Sequence, residues 1–351
     1  MNEKIIKIKI STPASNWPPL RQTPGQKGIW DNCQFYVNQE IPECDFWVVC
    51  ENLDKKETVC CLKANTILVT TEPPSIKTYD KRFTDQFGTV ITCHKDMVHP
   101  NKILRQQGMP WYVGVYYDVN ERNFTKFSKD YDELKSISIK DMPKPKTLSI
   151  ITSHKRGTPG HLKRMQFVEY LQKNFKGNFD VFGSGLNHIA DKWDGLAPYK
   201  YCLSIENSST PHYFTEKLSD AFLAGCYPFY FGCPNILEYF PEGSLTVIDV
   251  NKPEESLKII EETIKNNAFE KSLSKREEAK SLVIDKYNQF PMLADVCTKM
   301  QAKNTSALSE ISLRPEKRGN VVENILKNII GKRNYYIISK NILSLIKKKT
   351  N

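Results

Sequence analysis

The densest group of residues able to do chemistry lies between Tyr199 and Tyr239, in YKYCLSIENSSTPHYFTEKLSDAFLAGCYPFYFGCPNILEY. The apolar run from Tyr201 to Ile205 is short enough for a strand buried on both faces, and it delivers Glu206 and Asn207 at its C-terminal end. In open α/β sheets that end is where ligands bind. A loop with Ser208, Ser209 and Pro211 follows, and Thr215, Glu216 and Lys217 then open a helix with Leu218, Ala221, Phe222 and Ala224 on one face. A lysine in the first turn of a helix opposes the macrodipole, so its position predicts an anion to meet it.

This run resembles the donor-binding core of the family 10 glycosyltransferases, the α-1,3/1,4-fucosyltransferases. Their signature is similar to YKF-x-L-x-FEN, then Y-V-TEK, then a small-residue helix leading to a PxxxG turn. The chain reads YKYCLSIEN, YFTEK and AFLAGCYPFYFG, with the family spacing from Asn207 to Tyr213 and on to Glu216 and Lys217. It departs at Ile205, where an aromatic is usual, and at Cys226-Tyr227, where smaller or aliphatic residues are common. The resemblance implies a GT-B architecture, two facing Rossmann-like α/β domains with a cleft between them. It also implies GDP-fucose as donor, a glycan hydroxyl as acceptor, inversion in a single displacement, and neither metal ion nor other cofactor.

Transfer from a nucleotide sugar needs cations for the departing diphosphate, a base for the acceptor hydroxyl, and polar groups for sugar and ribose. Lys217 and Arg164 are the candidate cations, and the planar fork of an arginine suits phosphate. By resemblance the arginine opening the first helix of the donor domain contacts the diphosphate, and its spacing to Phe167 and Leu171 matches Arg164. The same resemblance assigns Asn207, Tyr213 and Glu216 to the nucleotide and sugar, Glu216 being suited to accept from a ribose diol. For the base, Ile67-Leu68-Val69-Thr70-Thr71-Glu72-Pro73-Pro74 reads as a buried strand ending in a carboxylate, with Pro73 biasing Glu72 toward an extended backbone. This is similar to the family's acidic element, where the glutamate is taken as the general base.

Each residue also has a plainer reading. An arginine on a helix is usually a solvated residue, a glutamate at a strand end is usually just exposed, and Gly183-Ser184-Gly185 is an ordinary turn before it is a phosphate loop. At the level of the protein the alternatives are the same scaffold with another nucleotide sugar, or a non-enzymatic basic protein that binds membrane surfaces or nucleic acid.

The elements around these residues alternate strand and helix. Ile5 to Ile10, Phe46 to Cys50, Thr66 to Thr70 and Thr89 to Cys93 are β-branched apolar runs, and Met142-Pro143-Lys144-Pro145-Lys146 breaks the pattern. We therefore expect an acceptor-side α/β domain over 1–143, a donor-binding α/β domain over 144–314, and a basic tail over 315–351. The second domain opens with a strand at Thr147 to Thr152, the basic loop 153–160, a helix bearing Leu162, Met165, Phe167, Val168 and Leu171, and a strand at Phe179 to Phe182. Ten scattered cysteines without C-x-x-C pairs read as buried thiols, and six histidines lack ligand spacing, so no metal site is expected.

The net charge is +10, and from Pro315 onward nine Lys and Arg stand against two Glu. Charge gathered in a tail, not spread over a folded face, argues against nucleic acid. Val321, Val322, Ile325, Leu326, Ile329 and Ile330, then Ile337 to Ile346, keep a helical period before Lys347-Lys348-Lys349, which suits a segment lying on an anionic membrane surface, a packed terminal helix or an oligomerisation element. With no run long enough to span a bilayer, the expectation is a cytoplasmic protein, peripheral on the membrane through this tail and acting on a lipid-linked surface glycan.

Overall fold

The computed structural model describes residues 4–13, 17–118, 123–153, 158–301 and 308–316. The basic loop at 154–157 and nearly all of the tail lie outside the described residues.

Hydrophobic runs interrupted every five to ten residues build two mainly parallel sheets. The first contains β1 (Ile6–Ser11), β2 (Ile29–Trp30), β3 (Cys33–Val37) and β4 (Phe46–Cys50); beyond the separate strand β5 (Glu57–Cys61) it continues with β6 (Thr66–Val69), β7 (Thr89–Thr92) and β8 (Lys102–Leu104). Its order is β2-β3-β1-β4-β6-β7-β8, with only the β2-β3 pair antiparallel. Alternate residues of β4 show why the run is apolar throughout. Phe46, Val48 and Cys50 enter a core with Phe290, Leu293 and Cys297, while Trp47 and Val49 enter another with Phe83, Phe87 and Leu313. A strand covered on both faces has no side left for polar residues.

A hairpin of β9 (Val115–Asp118) and β10 (Asn123–Phe127) precedes the second sheet. That sheet is built from β11 (Lys146–Ile151), β12 (Phe179–Phe182), β13 (Tyr199–Ile205), β14 (Tyr227–Phe231) and β15 (Thr246–Val247), all parallel in the order β12-β11-β13-β14-β15. On one face Phe167, Val168 and Leu171 of the helix Pro159–Asn174 pack on Leu148, Ile150 and Leu203. On the other, Leu218, Ala221 and Phe222 of the helix Glu216–Leu223 pack with Trp111 and Val113 of the segment entering the hairpin, and with Val283 and Ile284. Two parallel α/β layers of this kind are the GT-B architecture.

Part of the stretch assigned above to the donor domain returns to the first layer. The helix Gln289–Gln301 buries Phe290, Met292, Leu293, Val296 and Cys297 against the first sheet, and β16 (Ser309–Leu313) pairs antiparallel with β5. The described residues up to Arg314 thus form one compact unit, tied together by a segment that recrosses after the second sheet is complete. The cysteines are free and buried except Cys60, which is exposed, because β5 alternates its faces and carries Val59 and Cys61 inward.

Candidate active site

In the second sheet the strand order reverses between β11 and β13, so their C-terminal ends leave a crevice. Arg164 spans it. The helix carrying Arg164 is started by Thr158, whose hydroxyl accepts from the His161 N–H at 3.2 Å, and by Pro159 in its first turn. The guanidinium donates to Asn207 Oδ1 after β13, and at 3.5 and 3.4 Å to the carbonyl and hydroxyl oxygens of Ser153 after β11. The helix start is pressed onto the same loop: a Cβ at Gly160 would stand 2.0 Å from the Asn207 carbonyl oxygen. Arg164 is only 4% exposed, and among the described residues its buried Nε has no hydrogen-bond partner. Burial lowers the pKa of its guanidinium, with Glu206 and Glu216 opposing.

The TEK run folds back onto the end of β13. Thr215 caps the helix Glu216–Leu223, and its N–H and hydroxyl both bond to the Glu206 carboxylate, at 2.7 and 2.9 Å. Lys217 Nζ donates to Glu206 Oε2 at 3.2 Å, Thr215 Oγ1 at 2.9 Å and Glu216 Oε1 at 3.4 Å. The immediate counter-ion of Lys217 is therefore Glu206, whose side chain is fully buried. Burial favours the neutral amine, yet Glu206 and Glu216 outweigh it and hold the Lys217 pKa above its ordinary value. Burial likewise disfavours the Glu216 carboxylate, but Lys217 and Lys192 bring its pKa down to about 2.

Lys192 reaches both Glu216 Oε1 and Asp220 Oδ2 at 3.3 Å and lies over the Tyr112 ring at 4.8 Å. Asp220, buried and pushed up to about 6 by desolvation, accepts the backbone N–H groups of Tyr112 and Val113 at 2.9 and 3.2 Å. The segment that links the layers is thus anchored to the helix Glu216–Leu223. Tyr213 is buried beside these carboxylates; desolvation, then Glu206, Glu72 and Glu216, raise the pKa of its hydroxyl.

Glu72 leaves the first sheet just beyond β6, and Ser75 Oγ donates across to Ser208 Oγ at 2.9 Å. The Glu72 carboxyl is half-buried, and desolvation, then Glu51, raise its pKa, while Lys217 and Lys77 pull it back. Its charge is therefore within electrostatic reach of Lys217 and Glu216 on the second layer. The structure brings together all six residues singled out from the sequence: Glu72, Arg164, Asn207, Tyr213, Glu216 and Lys217. It adds Glu206, Lys192, Asp220 and Glu51, of which only Glu206 had a visible signal, as the partner of Asn207 at a strand end. Gly183 forms a turn at a close approach, where a Cβ would sit 1.6 Å from the Thr152 carbonyl oxygen. Among the described residues no group of three or more His, Cys, Asp or Glu is placed to hold a metal ion.

Residues 142–313 match the family model described as glycosyltransferase family 10 (fucosyltransferase) C-term, and this segment is a domain of that family. Over 110 residues the chain is 45% identical to the 4-galactosyl-N-acetylglucosaminide 3-alpha-L-fucosyltransferase 9 of Bos taurus, a stretch covering 30% of each chain. It is 30% identical over 95 residues to the alpha-(1,3)-fucosyltransferase B of Drosophila melanogaster, covering 26% of this chain and 20% of the relative. The matched stretches thus span less than a third of these relatives' length. Among solved structures, the chain is similar to an alpha1,3-fucosyltransferase with GDP-fucose, at 16% identity and a TM-score of 0.47, covering 87% of this chain and 94% of that one.

Proposed function

We propose that the protein is a glycosyltransferase that moves L-fucose from GDP-fucose to a hydroxyl of a glycan, with inversion and without a metal ion. The observation that carries this reading is the crevice at the strand reversal. There a buried arginine joins the ends of two strands, a lysine is held at a helix start by a buried glutamate, and a glutamate faces them from the other sheet. The family 10 match over the segment holding Arg164, Asn207, Tyr213, Glu216 and Lys217 supports fucose as the sugar.

In this reading the diphosphate lies against Arg164, Lys217 and the start of the helix Glu216–Leu223, where fixed positive charge meets the negative charge that grows as the bond to the sugar breaks. Asn207, Tyr213 and Glu216 hold the nucleotide and sugar. The acceptor oxygen attacks the anomeric carbon from the opposite face, GDP departs, and Glu72 takes the acceptor's proton. A carboxylate made more basic by burial is the better proton acceptor near neutrality.

We extend the proposal to the setting. The protein works in the cytoplasm on a lipid-linked surface glycan, with the basic tail on the anionic face of the membrane. Sequence pattern alone supports this extension. Among the described residues no helix is long and apolar enough to cross a membrane.

The test is thermal stabilisation by a panel of nucleotide sugars in the presence of a chelator. GDP-fucose and GDP raise the melting temperature, since a ligand bound only by the folded state adds to its stability. Equal stabilisation by UDP-sugars overturns the choice of donor, and a strict need for a divalent ion overturns the metal-free reading.

A further inference from the structure

Glu51 stands at the C-terminal end of β4 with a left-handed backbone, φ 67°, a conformation uncommon for a residue with a side chain. Such a turn persists where surrounding contacts enforce it: the Glu51 N–H donates to the Val69 carbonyl oxygen at 2.9 Å, and its carboxylate gathers donors from one loop. Glu51 Oε2 accepts from the Thr71 N–H at 3.0 Å, the Thr71 hydroxyl at 2.5 Å and the Tyr79 hydroxyl at 2.5 Å, and Oε1 accepts from Lys77 Nζ at 2.6 Å. All four donors lie in the loop that carries Glu72. The Tyr79 oxygen in turn accepts from the backbone N–H groups of Thr71 and Glu72, at 3.2 and 3.4 Å. On the far side His94 Nε2 donates to the Glu72 carbonyl oxygen at 2.8 Å. The backbone of Glu72 is therefore clamped from both sides, while its carboxylate is left toward the crevice.

We propose that Glu51 is a positioning residue for Glu72: through Thr71, Tyr79 and Lys77 it fixes the direction in which the Glu72 carboxylate faces the donor. The inference rests on the reading of Glu72 as the base. A structural brace could have been apolar, and the first layer has apolar cores on both faces for that purpose. A carboxylate gathering four donors from one short loop fixes orientation as well as position, and near a reacting atom a misplacement of about 1 Å costs on the order of a hundredfold in rate.

Glu51 also sets the charge around Glu72. Burial would raise the Glu51 carboxyl, but hydrogen bonds from Lys77, Thr71 and Tyr79 reverse this and hold it below the usual range. The groups that face Glu72 are Glu51 just after β4, Lys77 and Tyr79 from its own loop, Cys93 and His94 after β7, Tyr112 from the segment that links the layers, Tyr213 before the helix Glu216–Leu223, and Lys217 and Glu216 from that helix. Removing the charge of Glu51 takes away a like-charged neighbour and releases Lys77, so Glu72 should titrate at lower pH. Removing Lys77 should do the reverse.

The experiment compares the full-length protein with Glu51→Gln, Tyr79→Phe and Lys77→Met. One arm measures kcat and KM for GDP-fucose against pH; the other follows the Glu72 carboxyl by carbon NMR, assigned with Glu72→Gln. The expected result is a kcat reduced roughly tenfold or more in Glu51→Gln and Tyr79→Phe, with KM for the donor nearly unchanged. The Glu72 titration moves down in Glu51→Gln and up in Lys77→Met. An unchanged titration and an unchanged kcat in both Glu51→Gln and Tyr79→Phe overturn the inference; Tyr79→Phe keeps it open to refutation if Glu51→Gln does not fold. If Glu72→Gln retains full activity while the titration still responds to Glu51→Gln, it is the assignment of the base that fails.

Discussion

Replacing Lys217 by methionine separates the role the structure shows, counter-ion of the buried Glu206, from the diphosphate contact proposed above. Lys217 is the only cation bonded to the Glu206 carboxylate among the described residues, and Glu206 has no exposed side-chain surface. Removing the lysine leaves that carboxylate to the N–H and hydroxyl of Thr215, and breaking a buried pair from one side typically costs about 3 to 5 kcal/mol. The melting temperature should fall by roughly 5 °C or more. Donor affinity should fall separately: a charge-assisted bond to phosphate is worth about 1.5 to 3 kcal/mol, or roughly ten- to a hundredfold in Kd. The double variant Glu206→Gln with Lys217→Met tells them apart. With no buried charge left unpaired it should regain most of the lost melting temperature, while GDP binding by calorimetry stays at the level of the single variant. Wild-type affinity in Lys217→Met, or recovery of affinity in the double variant, would refute the assignment of Lys217 to the diphosphate.

Glu72→Gln should keep the melting temperature and the Kd for GDP-fucose while lowering turnover roughly a hundredfold or more, read in a transfer assay; near-normal transfer moves the base elsewhere. Glu216 gives a pH signature. Its pKa falls from 4.5 to about 2 in the folded protein, so its contribution is fully present above pH 4.5 and is lost as pH falls toward 2. Denaturation midpoints of wild type and Glu216→Gln should therefore differ at pH 7 and converge below pH 4; a gap that stays constant over that range refutes the pairing with Lys217 and Lys192. Truncation after Arg314 should preserve transfer to soluble acceptors and abolish binding to vesicles containing anionic lipid, binding that salt also weakens in the full chain. Loss of folding on truncation would make the tail structural.

The strands were legible from their apolar runs: Phe46–Cys50, Thr66–Val69 and Thr89–Thr92 are covered on both faces, and the edge strand Phe179–Phe182 still buries Val181. Phe46–Cys50, Thr66–Val69, Thr89–Thr92 and Phe179–Phe182 follow the apolar runs to within a residue at the ends, and the cap at Thr215 is where the TEK run places it. The first strand is displaced by one residue, to Ile6–Ser11, since Ser11 is buried and its hydroxyl pairs with Glu57 at 2.9 Å. What the sequence concealed depends on contacts far apart in the chain. An amphipathic helix at 289–301 shows that it has an apolar face but not which of two sheets that face will cover. Asp220 reads as a helix-surface aspartate, although it is 1% exposed and holds the N–H groups of Tyr112 and Val113. These two backbone partners lie more than a hundred residues away and leave no local pattern.

Glu206 is the instructive case, because it was visible and still unassigned. At the end of an apolar strand a glutamate reads as the point where the chain meets water, yet the loop returns nine residues later and seals it with Thr215 and Lys217. The consequence is electrostatic. A lysine in a desolvated crevice would ordinarily lose its proton more easily; Glu206 from behind and Glu216 from the side keep it charged and fix its ammonium in place. On the proposed function, a cation held this way needs little reorganisation to meet a diphosphate or the charge that grows on it during transfer. Glu51 does the corresponding work on the other sheet, ordering a loop by collecting its donors. In both layers a carboxylate set back from the crevice holds the group that faces it. Carboxylates of that kind cannot be picked out by residue type, since only the fold distinguishes them from the chain's other glutamates.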